Sequence, residues 1–296
     1  MTAAPRFTLR YAVHLGFRSF DRPLFARAAR SVAPADQIVF AAEQGFAGVQ
    51  DPWFSDRGAA GQDAVAAALA ATGLPAGTLV VGGRADLARP LWLPESPDEA
   101  RRLDAALARA LADAARIGAT DLAVVPAARP DLPIAAQEDR LIAALRDAGD
   151  RAAAEGRRLS VEAIGPGSVP GMLLTGAAQA ARVVRAVAHP AVRLIFDTGH
   201  LLAEGEDPLH VLERDHDILG PVQIAGQPGR CEPGQGDAPL APVLEALVRQ
   251  GHGGLVELEH LWREDSAAAE RAGLAWLDAL EPRFGLIRQG RNGHEP

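Results

Sequence analysis

The sequence predicts an α/β protein folded as a single eight-stranded β/α barrel. Three observations predict it. Short β-type runs alternate with longer helical patterns, eight times over. The length, 296 residues, is slightly above the usual size of such a barrel. No composition break marks a second domain, so residues 1–287 are read as the barrel and 288–296 as a polar tail. The runner-up, a doubly wound open sheet, would want a glycine-rich turn after its first strand. His14-Leu15-Gly16-Phe17-Arg18 is not one.

The elements follow in order. Thr8 to Leu15 is the first strand, and Ala33 to Gln44 a helix ended by Gly45. Gly48 to Asp51 is the second strand, stopped by Pro52; Asp63 to Ala71 is helical, with Gly73 beyond its end. Thr78 to Gly82 is the third strand, followed by a loop from Arg84 to Pro94 that contains Trp92. Pro97 to Gly118 is the clearest helix, with Leu103, Leu107, Leu111 and Ala114 on one face. Leu122 to Pro126 is the fourth strand, and Ile134 to Glu155 a helix stopped by Gly156. Leu159 to Ile164 is the fifth strand, and Thr175 an N-cap for a helix to Ala188. Val192 to Asp197, Val222 to Ala225 and Leu255 to His260 are the last three strands. Their helices span Asp207 to Asp217, Ala241 to Gln250 and Ala267 to Leu280.

Composition excludes some functions. The formal net charge of -8 argues against nucleic acid, because phosphate binding wants a basic face. With one cysteine, Cys231, no disulfide can form within the chain. No apolar run reaches the length of a membrane span, and the first residues lack a signal-peptide core. The expectation is a cytoplasmic protein acting on a small molecule, with a homo-oligomer left open.

In such barrels chemistry sits where strands end. Glu162 ends the fifth strand, Asp197 the sixth and Glu259 the eighth, and Gln223 lies in the seventh. The gaps of 35, 26 and 36 residues are each about one βα unit. They bring four polar side chains to one rim. A single carboxylate at a strand end is more often a helix N-cap or ion-pair partner than a ligand. Four in register on consecutive strands point to a site. Three carboxylates there would repel one another unless a cation compensates. An all-oxygen set suits Mn²⁺ or Mg²⁺ better than Zn²⁺. Asp197-Thr198-Gly199 also matches the short motif of aspartic proteases, but those are β-rich and need two such loops. His200 follows Asp197 by three residues and is expected in the same cavity, and Arg230, in a Pro-Gly loop, is the natural clamp for a carboxylate. His14, Trp53 and Trp92 are further candidates to line or cover it.

The segments V-E-A at Glu162, F-D-T-G-H at Asp197, V-Q-I-A-x-x-P-G-R-x-E-P-G-x-G-D from Val222 and V-E-L-E at Glu259 resemble hydroxypyruvate isomerase and its relatives. These belong to the xylose-isomerase-like TIM barrels. The resemblance is densest from Ser160 to His260. It implies that Glu162, Asp197, Gln223 and Glu259 bind the metal, that Glu162 and Glu259 move protons, and that His200, Arg230 and Glu232 contact substrate. The pocket departs from the family pattern: Gln50 stands where relatives commonly have Glu, Val80-Val81 where they have His or Asn, and Gly226 where they have Asp. A less polar pocket would suit a bulkier or partly apolar substrate.

The expected activity is therefore a divalent-metal-dependent isomerase or epimerase of a small hydroxy-carbonyl compound. One glutamate would take the proton α to the carbonyl and the other return it through an enediolate. Loss of a β-substituent from the same intermediate would make a dehydratase or lyase, as in 3-dehydroshikimate dehydratases. The third reading is a non-catalytic barrel that binds a sugar acid or a partner. One more expectation concerns the barrel interior. Side chains alternate along a strand, so Glu257 points inward with Glu259. Arg10, on the inward face of the first strand, is expected to form a buried ion pair with it.

Overall fold

The structure, a computed structural model, describes residues 6–165 and 167–292. Its strands are β1 Arg10–His14, β2 Gly48–Gln50, β3 Leu79–Val80, β4 Asp121–Val124, β5 Arg158–Val161, β6 Val192–Asp197, β7 Leu219–Gln223 and β8 Leu255–Leu258. All paired neighbours are parallel, in the order β2-β1-β8-β7-β6-β5-β4-β3. The seam between β2 and β3 is closed by a parallel bridge between Val49 and Ala76 and by the Val80 amide donating to Pro52. A nearly closed (β/α)8 barrel results.

Local chemistry sets the helices. Ser96 caps the helix Pro97–Ile117 by accepting from the Glu99 amide, with Pro97 in the first turn and Gly118 left-handed at the C-cap. Thr175 does not cap its helix. Ala177–Val187 starts one residue later, and Glu204 accepts from its first amide instead. The last helix, Ala267–Asn292, runs through Pro282 and well past Leu280. Proline removes one intrahelical bond, but Leu280 and Phe284 continue the buried stripe across it. Residues 288–292 thus belong to that helix, and 293–296 of the expected tail lie outside the described residues.

The main core fills the layer between strands and helices, from Tyr11 and Val13 through Leu107 and Leu145 to Val256 and Phe284. A second, smaller cluster of Trp53, Val80, Ala123 and Ile195 lies apart from it. Trp92 is fully buried in the main core and packs there rather than covering the site. No helix among the described residues is long and apolar enough to cross a membrane.

Candidate functional site

The C-terminal ends of β5 to β8 bring the expected residues together. Asp197 closes β6, pairs in register with Gln223 at the end of β7, and Gln223 pairs with Glu257 on β8. Asp197 also caps the helix Thr198–Glu204: its Oδ1 accepts from the amides of Gly199 at 2.7 Å and His200 at 3.2 Å. Cap and site residue are therefore the same carboxylate. Glu162 follows β5, its amide donating to Val124 O at 3.0 Å. Glu259 follows β8, where its amide turns back onto Glu257 O at 3.0 Å.

Arg230 reaches this cluster from the loop after β7. Its backbone is left-handed, at φ 55, an uncommon setting for a side chain other than glycine. The setting is held by the Leu261 amide donating to Arg230 O at 2.7 Å and by the neighbouring Gly226–Cys231 bridge. The guanidinium donates from Nη2 to Asp197 Oδ2 at 2.8 Å and to Glu259 Oε2 at 3.1 Å, and from Nη1 to Asp197 Oδ1 at 3.3 Å. Gly199 makes room for it, since a Cβ there would stand 3.0 Å from Nη1 and 2.9 Å from Ala225 Cβ.

The charges follow from burial. Burial pushes the Glu162 carboxyl up to about 8, helped by the Asp197 charge and opposed by Arg230. Burial also raises Glu259 well above the usual carboxylate range, against the pull of Arg230. Asp197 is as deeply buried, yet Arg230, His200 and the capping amides hold it below its ordinary value. Burial drives His200 down to about 4, so its ring is neutral near pH 7. Its Nδ1 accepts from the Gly165 amide at 3.1 Å, which places the ring proton on Nε2. That nitrogen faces Glu162 Oε1 at 3.5 Å and Asp197 Oδ2 at 4.0 Å.

A cavity of about 310 Å³ opens above them, lined by Glu162, His200, Arg230 and Glu259 among others. Trp53 stands in its wall, its indole N–H donating to Phe17 O. Sequence reasoning missed the rest of that wall, which includes Phe17, Arg84, Val125, Ile164 and Val169. Several lie in irregular βα loops, where no periodicity marks them. The wall is largely apolar, as Val80 in place of a polar group led one to expect. Two named candidates stand elsewhere. His14 lies beside the cavity: its Nδ1 accepts from Gly16 N at 3.1 Å and its Nε2 meets His260 O at 3.0 Å. Glu232 is buried, accepting from the Arg263 amide at 2.9 Å.

The expected Arg10–Glu257 pair does not form. Arg10 pairs in register with Leu255, and it is Ala12 that stands opposite Glu257. Arg10 is exposed at the far end of the barrel, donating to Gly253 O at 3.0 Å. Glu257 does point inward and is 1% exposed, but its partners are neutral. Its Oε2 accepts from Gln50 Nε2 at 2.9 Å and Gln223 Nε2 at 3.0 Å, and its Oε1 from Thr78 N at 2.6 Å.

The donor set fits a divalent cation. Ligand atoms of Glu162, Asp197 and His200 lie within 4.8 Å of one another. Buried Gln223 Oε1 has no hydrogen-bond partner among the described residues. With its Nε2 protonated, His200 is a donor toward Glu162, and the carboxylates of Glu162 and Asp197 remain as the oxygens of that group.

Comparison with known proteins places this geometry in context. A family model described as xylose isomerase-like TIM barrel matches residues 38–280. The chain is 34% identical over 174 residues to a putative hydroxypyruvate isomerase of Streptomyces coelicolor, covering 57% of this chain and 61% of that protein. It is 30% identical over 130 residues to a 2-oxo-tetronate isomerase of Cupriavidus necator, covering 44% and 48%. The chain thus spans about half to three fifths of these curated relatives. Among solved structures, an AP endonuclease, family 2, from Brucella melitensis superposes with a TM-score of 0.77 at 23% identity, over 92% of this chain and 99% of that one. That likeness concerns the fold.

Proposed function

The chain belongs to the xylose isomerase-like TIM barrels, and from that membership we propose that it is an isomerase or epimerase of a small hydroxy-carbonyl substrate. One observation carries the reading: two buried glutamates, Glu162 and Glu259, from strands far apart in sequence, line the same cavity. That arrangement suits isomerisation or epimerisation, in which one group can remove the proton α to a carbonyl and the other return it. Burial raises both carboxyls above the ordinary carboxylate range. The named relatives, a putative hydroxypyruvate isomerase and a 2-oxo-tetronate isomerase, support the same class.

Glu162, Asp197, Gln223 and Glu259 would hold a divalent ion, Mn²⁺ or Mg²⁺ by the hardness of an oxygen set. Such an ion supplies electrophilic stabilisation to the charge of an enediolate. Arg230 keeps Asp197 and Glu259 in place and offers positive charge at the cavity floor. His200 offers its Nε2 proton to Glu162 or to a substrate oxygen beside it. Phe17, Trp53 and Ile164 exclude water from that floor and favour a substrate with an apolar portion.

The test is solvent exchange. Incubation with 2-hydroxy ketones and 2-keto acids in D₂O should place deuterium on the carbon α to the carbonyl of at least one of them. Product analysis of that compound separates isomerisation from loss of a β-substituent. A panel of such compounds with no exchange, by protein supplied with Mn²⁺ or Mg²⁺, would overturn the reading.

A further inference from the structure

We propose that Glu257 is a positioning residue that fixes the Gln223 side chain with its carbonyl oxygen, not its NH₂ group, presented to the cation site. The proposal rests on reading Gln223 as a ligand. A glutamine amide has one donor end and one acceptor end of nearly equal shape, and only a hydrogen-bond partner decides which end points where. A carboxylate offers acceptors only. Glu257 Oε2 takes the NH₂ of Gln223 at 3.0 Å. That contact commits Gln223 Oε1 to the other side, where it is buried and unpartnered among the described residues. Gln50 repeats the arrangement, its NH₂ 2.9 Å from the same oxygen and its Oε1 likewise buried without a partner. Two buried carbonyl oxygens without donors are costly unless something binds there.

The seat of Glu257 is built for it. The Thr78 amide donates to Oε1 at 2.6 Å. A side chain at residue 77 would collide with the same oxygen, so Gly77 leaves the space the carboxylate occupies. In register, Gln223 lies between Asp197 on one strand and Glu257 on the other. The carboxylate thus grips the NH₂ edge of the amide and leaves its carbonyl oxygen without a partner among the described residues.

Two variants test this by Mn²⁺ affinity, measured by titration calorimetry. In Glu257→Gln, one carbonyl oxygen must serve the three donors that the carboxylate now serves, and a new NH₂ group appears beside Gln223. Gln223 then turns its oxygen to that NH₂, and Mn²⁺ affinity falls by about 10–100-fold. In the exchange Gln223→Glu with Glu257→Gln, residue 223 presents an oxygen in either orientation and accepts from the amide at 257. Affinity should return to within about threefold of the starting protein, well inside the loss expected of the single change. Melting temperatures of both variants show that the fold persists. An unchanged affinity in Glu257→Gln, or an exchange variant no better than the single one, overturns the positioning role while leaving Gln223 a ligand. Starting protein that takes up no Mn²⁺ overturns both the ligand assignment and the positioning role.

Discussion

Glu257 and Glu259 stand two residues apart at the end of one strand, and their charges are met in opposite ways. Glu259 faces a cation, the Arg230 guanidinium shared with Asp197. Glu257 faces only neutral N–H groups, from Gln50, Gln223 and Thr78. Both are buried, and burial raises both carboxyls, Glu257 to about 7. The difference lies in what can be exchanged. A cation beside a carboxylate can give way to another cation or to a substrate, because Coulomb attraction is not tied to one partner. Three directed N–H bonds fix one orientation and admit little else. The upper layer is thus suited to chemistry and the lower layer to holding it in register.

The largest expected effect falls on the upper layer. Glu162→Gln and Glu259→Gln should each lower the exchange or turnover rate by roughly 10²–10⁴-fold. Glu162→Gln should keep its melting temperature, since the buried carboxyl is already raised to about 8, whereas Glu259→Gln should stay folded but lose some stability with its bond to Arg230. Either variant with a near-normal rate would remove the proton-transfer role from that glutamate, and with it the contrast between the layers.

Arg230→Met sharpens the contrast. Arg230 is 4% exposed and touches both carboxylates, so it is more than the substrate clamp the sequence suggested. Removing one partner of a buried pair costs about 3–5 kcal/mol. In chelator the variant should therefore lose stability on that order in a denaturant titration. Mn²⁺ should restore much of it, because a divalent ion supplies the missing charge to Asp197 and Glu259. Equal losses with and without the ion would show that cations are not interchangeable here.

His14 shows a third way to bury a titratable group, which is to leave it neutral. Burial lowers its pKa to about 4, with Arg230 adding to the effect and the bond to His260 O opposing it. The unfolded chain binds this proton near the ordinary histidine value of 6.5. Stability from this residue is therefore complete above about pH 6.5 and is lost as pH falls toward about 4. Over that window the loss is on the order of 2–3 kcal/mol. Denaturant titrations of the protein and of His14→Gln at pH 7.5 and 4.5 measure it. The variant should lose less than the parent by that amount, and parallel losses would contradict a neutral, buried His14.

Much of this was readable in the sequence, for reasons that also mark where reading stops. The strands follow from short hydrophobic runs bounded by glycine and proline, and all eight are present. Spacing of one βα unit picked out Glu162, Asp197, Gln223 and Glu259, because a barrel converts regular spacing into a shared rim. Alternation correctly put Glu257 inside. What failed was the partner, since which residues face each other across two strands depends on register, and register is set by pairing over the whole sheet. The cavity wall was hidden for a related reason: Phe17 and Val169 sit on loops whose course only the assembled barrel determines. The last helix, read as ending at Leu280, runs on through Pro282 because Phe284 packs beyond it.

The smallest expected effect concerns Arg10. Had it met Glu257, Arg10→Met would have stranded a buried carboxylate and cost as much as the Arg230 change. The register forbids this: Arg10 aligns with Leu255, and the position beside Glu257 belongs to Ala12, which carries no donor on its side chain. The contact Arg10 does make, to Gly253 O, is at an exposed position open to water. Water can replace such a donor with little net change in free energy. Arg10→Met should therefore shift the melting temperature by no more than about 1–2 °C. Combining it with Glu257→Leu should add nothing beyond the sum of the two single changes, because residues without shared partners behave independently. A measured coupling between them would mean that β1 is shifted against β8, and that the inner layer is charged on both sides after all.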